Sequence, residues 1–123
     1  MGTEDCLNFN LVIPGSLSSL LASGKKLPVV VFLHGGYYTY GTASGSGTSD
    51  TFWYDGLQQS SYGEYIHISV NYRLSSFGFL TTEDENAPGN YAVDDIQKAI
   101  NWIFDNADAI GADTRYEISL INS

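Results

Sequence analysis

The sequence predicts an α/β fold with a mostly parallel sheet, and two segments carry that prediction. Residues 29–33, Val-Val-Val-Phe-Leu, are apolar at every position, as in a central strand that is covered on both faces. Residues 65–121 then follow the order strand, amphipathic helix, strand. This order is a βαβ unit, which predicts parallel pairing with helices on the faces of the sheet. A chain of 123 residues is expected to form one domain at most.

The first half of the chain offers local patterns for the other elements. Residues 7–13 begin by alternating apolar and polar side chains and end fully apolar before Pro14 and Gly15, which predicts a half-buried first strand. Residues 15–26 are rich in Ser and Gly and are predicted to form a surface connection that could include one irregular helical turn. Residues 35–56 have no clean period, and long irregular loops inside compact domains are usually functional, so this loop is predicted to lie over a site.

The second half contains the components of the βαβ unit. Residues 65–72 have the β-branched and aromatic content of a strand, and residues 116–121 are predicted to form the last strand. Asp94 and Asp95 lie in the first turn of the intervening helix, where the helix dipole favours negative charge. The apolar positions at helical spacing are Val93, Ile96, Ile100, Ile103, Phe104 and Ala107.

The composition is that of a folded, acidic domain. Hydrophobic residues make up 43% and charged residues 15%, and 14 acidic against 5 basic residues give a net charge of −9. Such a surface repels phosphate backbones and anionic headgroups, so nucleic acid is not expected as a partner. The sequence contains neither a membrane-spanning apolar stretch nor the pattern of a secretory signal, and it leaves the compartment open. Cys6 is the only cysteine, and neither a metal nor a cofactor is expected.

His34, Gly35 and Gly36 come directly after the apolar strand, at the sheet edge where α/β proteins gather their working groups. Glycines there let the backbone turn sharply and bring consecutive N–H groups close to a ligand. Two N–H groups aimed at one point stabilise the oxygen of a tetrahedral acyl intermediate. A plain tight turn is the alternative, and this segment alone does not decide between the two.

Four segments form a set: EDCLNFNLVIP (4–14), LPVVVFLHGGYYTYG (27–41), SVNYRLSSFGFL (69–80) and DENAPGNYAVDDIQKAINWI (84–103). Together these segments resemble the type-B carboxylesterases, the cholinesterase-like branch of the α/β-hydrolases. They follow the family order, although Asn8 and Tyr37 depart from the usual aromatic residue and the usual third glycine. The resemblance implies a partial carboxylesterase domain over residues 1–123, an incomplete α/β-hydrolase fold truncated before the nucleophile elbow. It implies hydrolysis of small-molecule carboxylic esters by the full-length form.

The resemblance also assigns roles within the turn after the apolar strand. The backbone N–H groups of Gly36 and Tyr37 correspond to the family's oxyanion donors, and Tyr38 and Tyr40 are expected to wall the substrate cleft. A tyrosine in place of the third glycine keeps its N–H group, but it is strained if the position requires a positive φ. Aromatic packing under the loop is the alternative for the tyrosines.

Three further residues in these segments are expected to be structural. Arg73, at a strand exit, is predicted to form an ion pair. Asp94 resembles the aspartate of the family's GNxGLxDQ segment and is assigned to the helix start. His67 lies within a predicted strand and is expected to be packed against its neighbours.

The catalytic triad of this family is not found in these residues. No G-x-S-x-G occurs in the sequence, and Ser123 lacks the glycine-flanked turn of a nucleophile elbow. The family's catalytic acid and histidine come later in the chain, and a serine without a positioned base is a weak nucleophile. The partner of Cys6 in the family also lies further upstream. These differences predict that the chain is inactive alone and is a fragment, a truncated gene model or a splice form.

Two other functions compete with that of an esterase fragment. The first is a non-catalytic, cholinesterase-like protein with a binding or adhesion role. The second is an independent small binding domain with an aromatic loop, which is disfavoured because a sheet of about four strands leaves an apolar edge and an uncovered face. For the same reason, the chain expressed alone is expected to be poorly stable or to associate.

Overall fold

A computed structural model describes residues 5–44, 56–82, 88–115 and 119–122, and for the last of these ranges it describes the backbone. Much of the loop predicted over residues 35–56 and the beginning of the strand predicted from residue 116 lie outside the described residues, as does Ser123.

Within the described residues, four strands form one sheet with the order β1-β3-β2-β4. They are β1 (Phe9–Val12), β2 (Val29–Leu33), β3 (Ile66–Val70) and β4 (Ser119–Asn122). Strand β2 pairs in parallel with both β3 and β4, whereas β1 pairs antiparallel with β3. The mostly parallel sheet and the interior position of β2 are therefore confirmed.

The βαβ unit differs from the expectation in one respect. Strands β3 and β4 are parallel, but they do not pair with each other, because β2 lies between them. The connection from β3 to β4 thus crosses over one strand. The strand sequences do not specify this arrangement, since any strand with two apolar faces fits a central position.

Five helices accompany the strands in the described residues: α1 (Leu17–Ser23), α2 (Leu57–Gly63), α3 (Ser75–Phe79), α4 (Tyr91–Asp105) and α5 (Ala107–Ile110). Helix α4 is the helix that the apolar spacing predicts. None of the helices in the described ranges is long and apolar enough to cross a bilayer.

Helix α1 corrects the interpretation of residues 15–26 as a surface connection. The Ser16 side chain accepts a hydrogen bond from the Ser19 N–H group over 3.2 Å and so caps the helix N-terminus. Gly24 ends the helix with a left-handed φ of 67°. Both capping residues could be recognised from the sequence, but the abundance of Ser and Gly in this segment favoured the interpretation as a loop.

The core lies between the sheet and helix α4. All five residues of β3 are buried, including His67, as predicted for that histidine. Val93 and Phe104, which the sequence places on the apolar stripe of α4, are exposed at 55% and 49%, so the prediction is wrong at these two positions. Helix α4 packs on the two central strands through Ala99 and Ile103. This packing fixes β2 and β3 and therefore the edge of the sheet at which their carboxyl ends meet.

Candidate functional site

The candidate site is the turn that follows β2. Strands β2 and β3 are parallel, with Leu33 opposite Val70, so His34 and Asn71 leave the sheet side by side. This is the edge at which parallel sheets hold their ligands. All four site residues predicted from the sequence lie in this one turn, at positions 36, 37, 38 and 40.

Three consecutive residues of the turn have positive φ: Gly36 at 122°, Tyr37 at 54° and Tyr38 at 60°. A Cβ atom added to Gly36 would lie 2.0 Å from the carbonyl oxygen of Tyr40, so glycine is required there. Tyr37 occupies the left-handed region that costs an L-residue roughly 1–2 kcal/mol. The tyrosine that stands where the family has its third glycine thus adopts the conformation that glycine would adopt freely.

The carbonyl groups at the start of the turn are held by hydrogen bonds. The His34 carbonyl accepts from the Tyr72 hydroxyl over 2.7 Å. The Gly35 carbonyl contacts Nδ1 of His34 at 3.0 Å. The Gly36 carbonyl accepts from both the N–H group and the hydroxyl of Thr39, each over 3.0 Å. Three successive peptide planes are therefore fixed on their carbonyl side.

Fixed carbonyls determine where the amide groups point. In a trans peptide, the C=O of one residue and the N–H of the next lie in one plane and point in opposite directions. The three bonds therefore orient the N–H groups of Gly35, Gly36 and Tyr37 away from their acceptors. None of these three N–H groups donates to an acceptor among the described residues. The turn thus contains three consecutive amide groups that have no acceptor among the described residues.

The His34 side chain packs beneath the turn, in the interior of the protein. It is buried and stacks on Tyr72, with ring centroids 4.7 Å apart and an interplanar angle of 16°. A Cβ atom at Gly41 would lie 2.2 Å from His34 Nδ1, so this glycine makes room for the imidazole. Because the Gly35 carbonyl only accepts, the proton is assigned to Nδ1. The other nitrogen, Nε2, is buried and has no hydrogen-bond partner in the described part of the chain.

The three tyrosines differ in how they are used. Tyr38 packs edge-on against Phe79 at 5.1 Å, and its carbonyl accepts from the Ser75 N–H group over 2.6 Å. Tyr37 and Tyr40 are exposed at 88% and 66%. Tyr38 thus contacts another aromatic ring and is still 54% exposed, less than the other two.

Two residues that the sequence did not single out organise the same edge. Tyr72 holds the His34 carbonyl, and the Asn71 side chain accepts from the Ala43 N–H group over 2.8 Å and donates to the Asn8 side chain over 2.6 Å. Both residues directly follow β3, the parallel neighbour of β2. The available signal was therefore their position after a strand of the predicted parallel sheet.

Arg73 forms the ion pair that the sequence predicts. Its Nε and a terminal nitrogen each lie 2.7 Å from a different carboxylate oxygen of Asp95, and its backbone N–H donates to the same carboxylate over 3.0 Å. Burial alone would raise the pKa of Asp95, but the side-chain and backbone hydrogen bonds from Arg73 outweigh it and lower that pKa. The pair joins the end of β3 to the first turns of helix α4.

The partner of Arg73 corrects the assignment of Asp94. Asp94 is exposed, whereas Asp95 is buried and carries the ion pair. Counting along the resembling segment from Gly89 in the family's GNxGLxDQ pattern places its aspartate at position 95. Both residues are in the predicted helix start, and helical geometry turns only the second toward the sheet.

A metal site is not formed by the residues described: no three His, Cys, Asp or Glu side chains among them are grouped closely enough to hold an ion. The chemistry of this edge is that of amide donors, phenol rings and one buried imidazole.

Comparisons with known proteins agree with this architecture. The chain matches the carboxylesterase family model over residues 1–121. It is 36% identical to the bile salt-activated lipase of Bos taurus over 112 residues, and this match covers 91% of this chain and 18% of the lipase. It is 37% identical over 127 residues to neuroligin-2 of Mus musculus, with coverages of 90% and 14%.

Among solved structures, a thermophilic PNB esterase superposes with a TM-score of 0.80 at 31% identity, covering 98% of this chain and 23% of that chain. The chain thus spans less than a quarter of the length of these relatives. The sheet and helices described above form part of an α/β-hydrolase fold. On the match of nearly its whole length to the family model, the chain belongs to the carboxylesterase family.

Proposed function

We propose that this chain carries the oxyanion-binding turn of a protein that hydrolyses carboxylic esters, with the N–H groups of Gly36 and Tyr37 as the donors. One observation carries the proposal: the carbonyl groups of the turn are held by hydrogen bonds, while the amide groups of Gly36 and Tyr37 are left without an acceptor among the described residues. Tyr38 and Tyr40 border the same turn and line the substrate cleft.

The chemistry follows from where charge develops during ester hydrolysis. When a nucleophile adds to the ester, its carbonyl oxygen becomes negative, and donors already aimed at that oxygen need no reorganisation. Each such donor stabilises the transition state by roughly 2.7–4 kcal/mol. Apolar ring faces with polar tips, such as those of Tyr38 and Tyr40, suit the acyl or alcohol group of a small ester.

The attacking group belongs to residues outside these 123. The sequence holds no G-x-S-x-G, and a serine hydroxyl needs a positioned base to act as a nucleophile. The chain alone is therefore expected to leave a chromogenic ester such as p-nitrophenyl butyrate unhydrolysed. Turnover above that of a heat-treated sample would contradict this.

A hybrid esterase tests the donor role itself. In this hybrid the chain replaces the matching part of the thermophilic esterase, whose remaining sequence supplies the rest of the enzyme; the match covers 98% of this chain. We expect the hybrid esterase to hydrolyse p-nitrophenyl butyrate. In a matched hybrid, Gly36→Ala puts a Cβ against the Tyr40 carbonyl. We expect its kcat to fall at least tenfold, because misplacing one oxyanion donor removes part of the transition-state stabilisation. A folded but inactive hybrid would refute the proposal.

A non-catalytic binding role is the second candidate. It is favoured by the 37% identity to neuroligin-2, a relative that is not named for hydrolysis, and by a strained Tyr37 where the family resemblance puts a glycine. The same hybrid separates the two candidates. If the hybrid is inactive and the further change Tyr37→Gly restores hydrolysis, the turn of this chain has diverged toward binding.

A further inference from the structure

We propose that Tyr72 is a positioning residue for the oxyanion-binding turn, acting on two successive peptide planes, one through its hydroxyl and one through its ring. The inference rests on the proposed function and extends it to a residue on the neighbouring strand exit. Among the described residues, Tyr72 has no hydrogen bond or ring contact with either proposed donor and acts through His34.

The hydroxyl sets the first plane. It donates to the His34 carbonyl over 2.7 Å, and the two residues are only 6% and 2% exposed. A bond between buried groups has no water to replace it, so losing it leaves the carbonyl unsatisfied. The N–H group on the opposite side of this plane belongs to Gly35, and its direction depends on the bond.

The ring sets the second plane through the imidazole of His34. The Gly35 carbonyl is held by His34 Nδ1, and the N–H group opposite that carbonyl belongs to Gly36, a proposed donor. His34 Nε2 has no hydrogen-bond partner among the described residues, so no bond at the far end of the ring fixes its orientation. The ring is held by stacking on Tyr72, at 4.7 Å and 16°, and by the close approach of Gly41.

The phenol is suited to act as a permanent donor. Burial, followed by the proximity of Tyr38, raises the pKa of Tyr72 above its ordinary value. The hydroxyl therefore keeps its proton throughout the pH range in which esters are hydrolysed enzymatically. His34 stacks on the phenol ring, and the charge of Tyr38 contributes to the raised pKa of Tyr72.

The first test observes the turn without any catalysis. Tyr72→Phe keeps the ring stack and removes only the hydroxyl, and Tyr62→Phe is the matched control because Tyr62 is 88% exposed. In ¹⁵N–¹H spectra of the hybrid esterase labelled at glycine, we expect Tyr72→Phe to move the amide resonances of Gly35 and Gly36 and the control to leave them in place. Unchanged Gly35 and Gly36 resonances in Tyr72→Phe would overturn the proposal.

The second test measures the consequence for catalysis in the hybrid esterase. With kcat expressed per titrated active site, so that partial unfolding does not count, Tyr72→Phe is expected to lower kcat about tenfold, with KM within about twofold of its original value. An unchanged kcat in an active hybrid would refute the positioning role and leave the proposed function standing. A folded but inactive hybrid would refute the proposed function, and the amide resonances would then decide the positioning role alone.

Discussion

Tyr37 offers the sharpest test of the turn, because removing its side chain is expected to stabilise the protein. Its φ of 54° costs a non-glycine residue roughly 1–2 kcal/mol. Its ring is 88% exposed, so little burial is lost with it. Glycine adds about 0.4–1 kcal/mol of unfolded-state entropy. The difference between the two terms predicts that Tyr37→Gly raises the free energy of unfolding by about 0.8 kcal/mol, within a range of about 0–1.6 kcal/mol.

The same turn contains two matched comparisons. Tyr38 has a similar φ of 60° but packs against Phe79, so Tyr38→Gly also loses an aromatic pair worth about 0.5–1.5 kcal/mol and is expected to be neutral or destabilising. Tyr40 is not among the residues with positive φ, so Tyr40→Gly only gains unfolded-state entropy and is expected to cost about 0.4–1 kcal/mol.

Urea unfolding followed by tryptophan fluorescence measures all three variants on one scale. Stabilities are comparable if the dependence on urea concentration is the same for each. The reasoning fails if Tyr37→Gly is no more stable than Tyr40→Gly, because the left-handed strain would then be absent. If Tyr38→Gly were stabilised as much as Tyr37→Gly, the contact with Phe79 would contribute nothing.

Three further predictions concern the ion pair and the glycines. Arg73→Ala leaves the Asp95 carboxylate, whose side chain is 1% exposed, without its cation. We expect the free energy of unfolding in urea to fall by about 3 kcal/mol, the lower end for a broken buried ion pair, because Arg73 is itself partly exposed. A decrease under 1 kcal/mol would count against this. The pKa of Asp95 is lower in the folded protein than its unfolded value of 3.8. The ionised carboxylate therefore stabilises the fold fully above pH 3.8, and this stabilisation is lost as the pH falls through the folded pKa. The free energy of unfolding is expected to decrease less steeply with falling pH in Asp95→Asn, and equal slopes would contradict this. Gly41→Ala puts a Cβ 2.2 Å from His34 Nδ1 at a φ of 128°. This change is expected to shift the NMR resonances of the His34 imidazole and to lower kcat of the hybrid esterase. Unchanged imidazole resonances would show that the ring does not need this space.

The parts of the fold that the sequence predicts are those with a period. Strand β2 has no polar position, and helix α4 repeats its apolar residues at helical spacing, so both were identified near their observed bounds. Helix α1 was missed because Ser and Gly dominate the segment, although Ser16 and Gly24 cap it. The pairing of β3 and β4 with β2, and not with each other, depends on tertiary packing that no local pattern encodes.

The candidate site shows the same division between local and long-range information. The turn and its four candidate residues are contiguous, so a motif locates them. Tyr72 lies 38 residues from His34, and only the register of β2 with β3 brings the two rings together. Asp95 was within reach of a sequence count, but the adjacent Asp94 has the same chemistry, and only the helical phase separates an exposed carboxylate from a buried one.

The hydrogen bonds of the turn explain how Tyr37 keeps its strained backbone conformation. A tyrosine keeps a left-handed conformation only where its surroundings over-determine it, and here the Gly36 carbonyl is held by Thr39 and the Tyr38 carbonyl by Ser75. These bonds flank Tyr37 on both sides and leave its own N–H group without an acceptor among the described residues. The conformation that is costly for the side chain is thus the one that presents the amide. These supports come from the turn itself and from residues after β3, so the contacts that hold the proposed donors lie within the described residues.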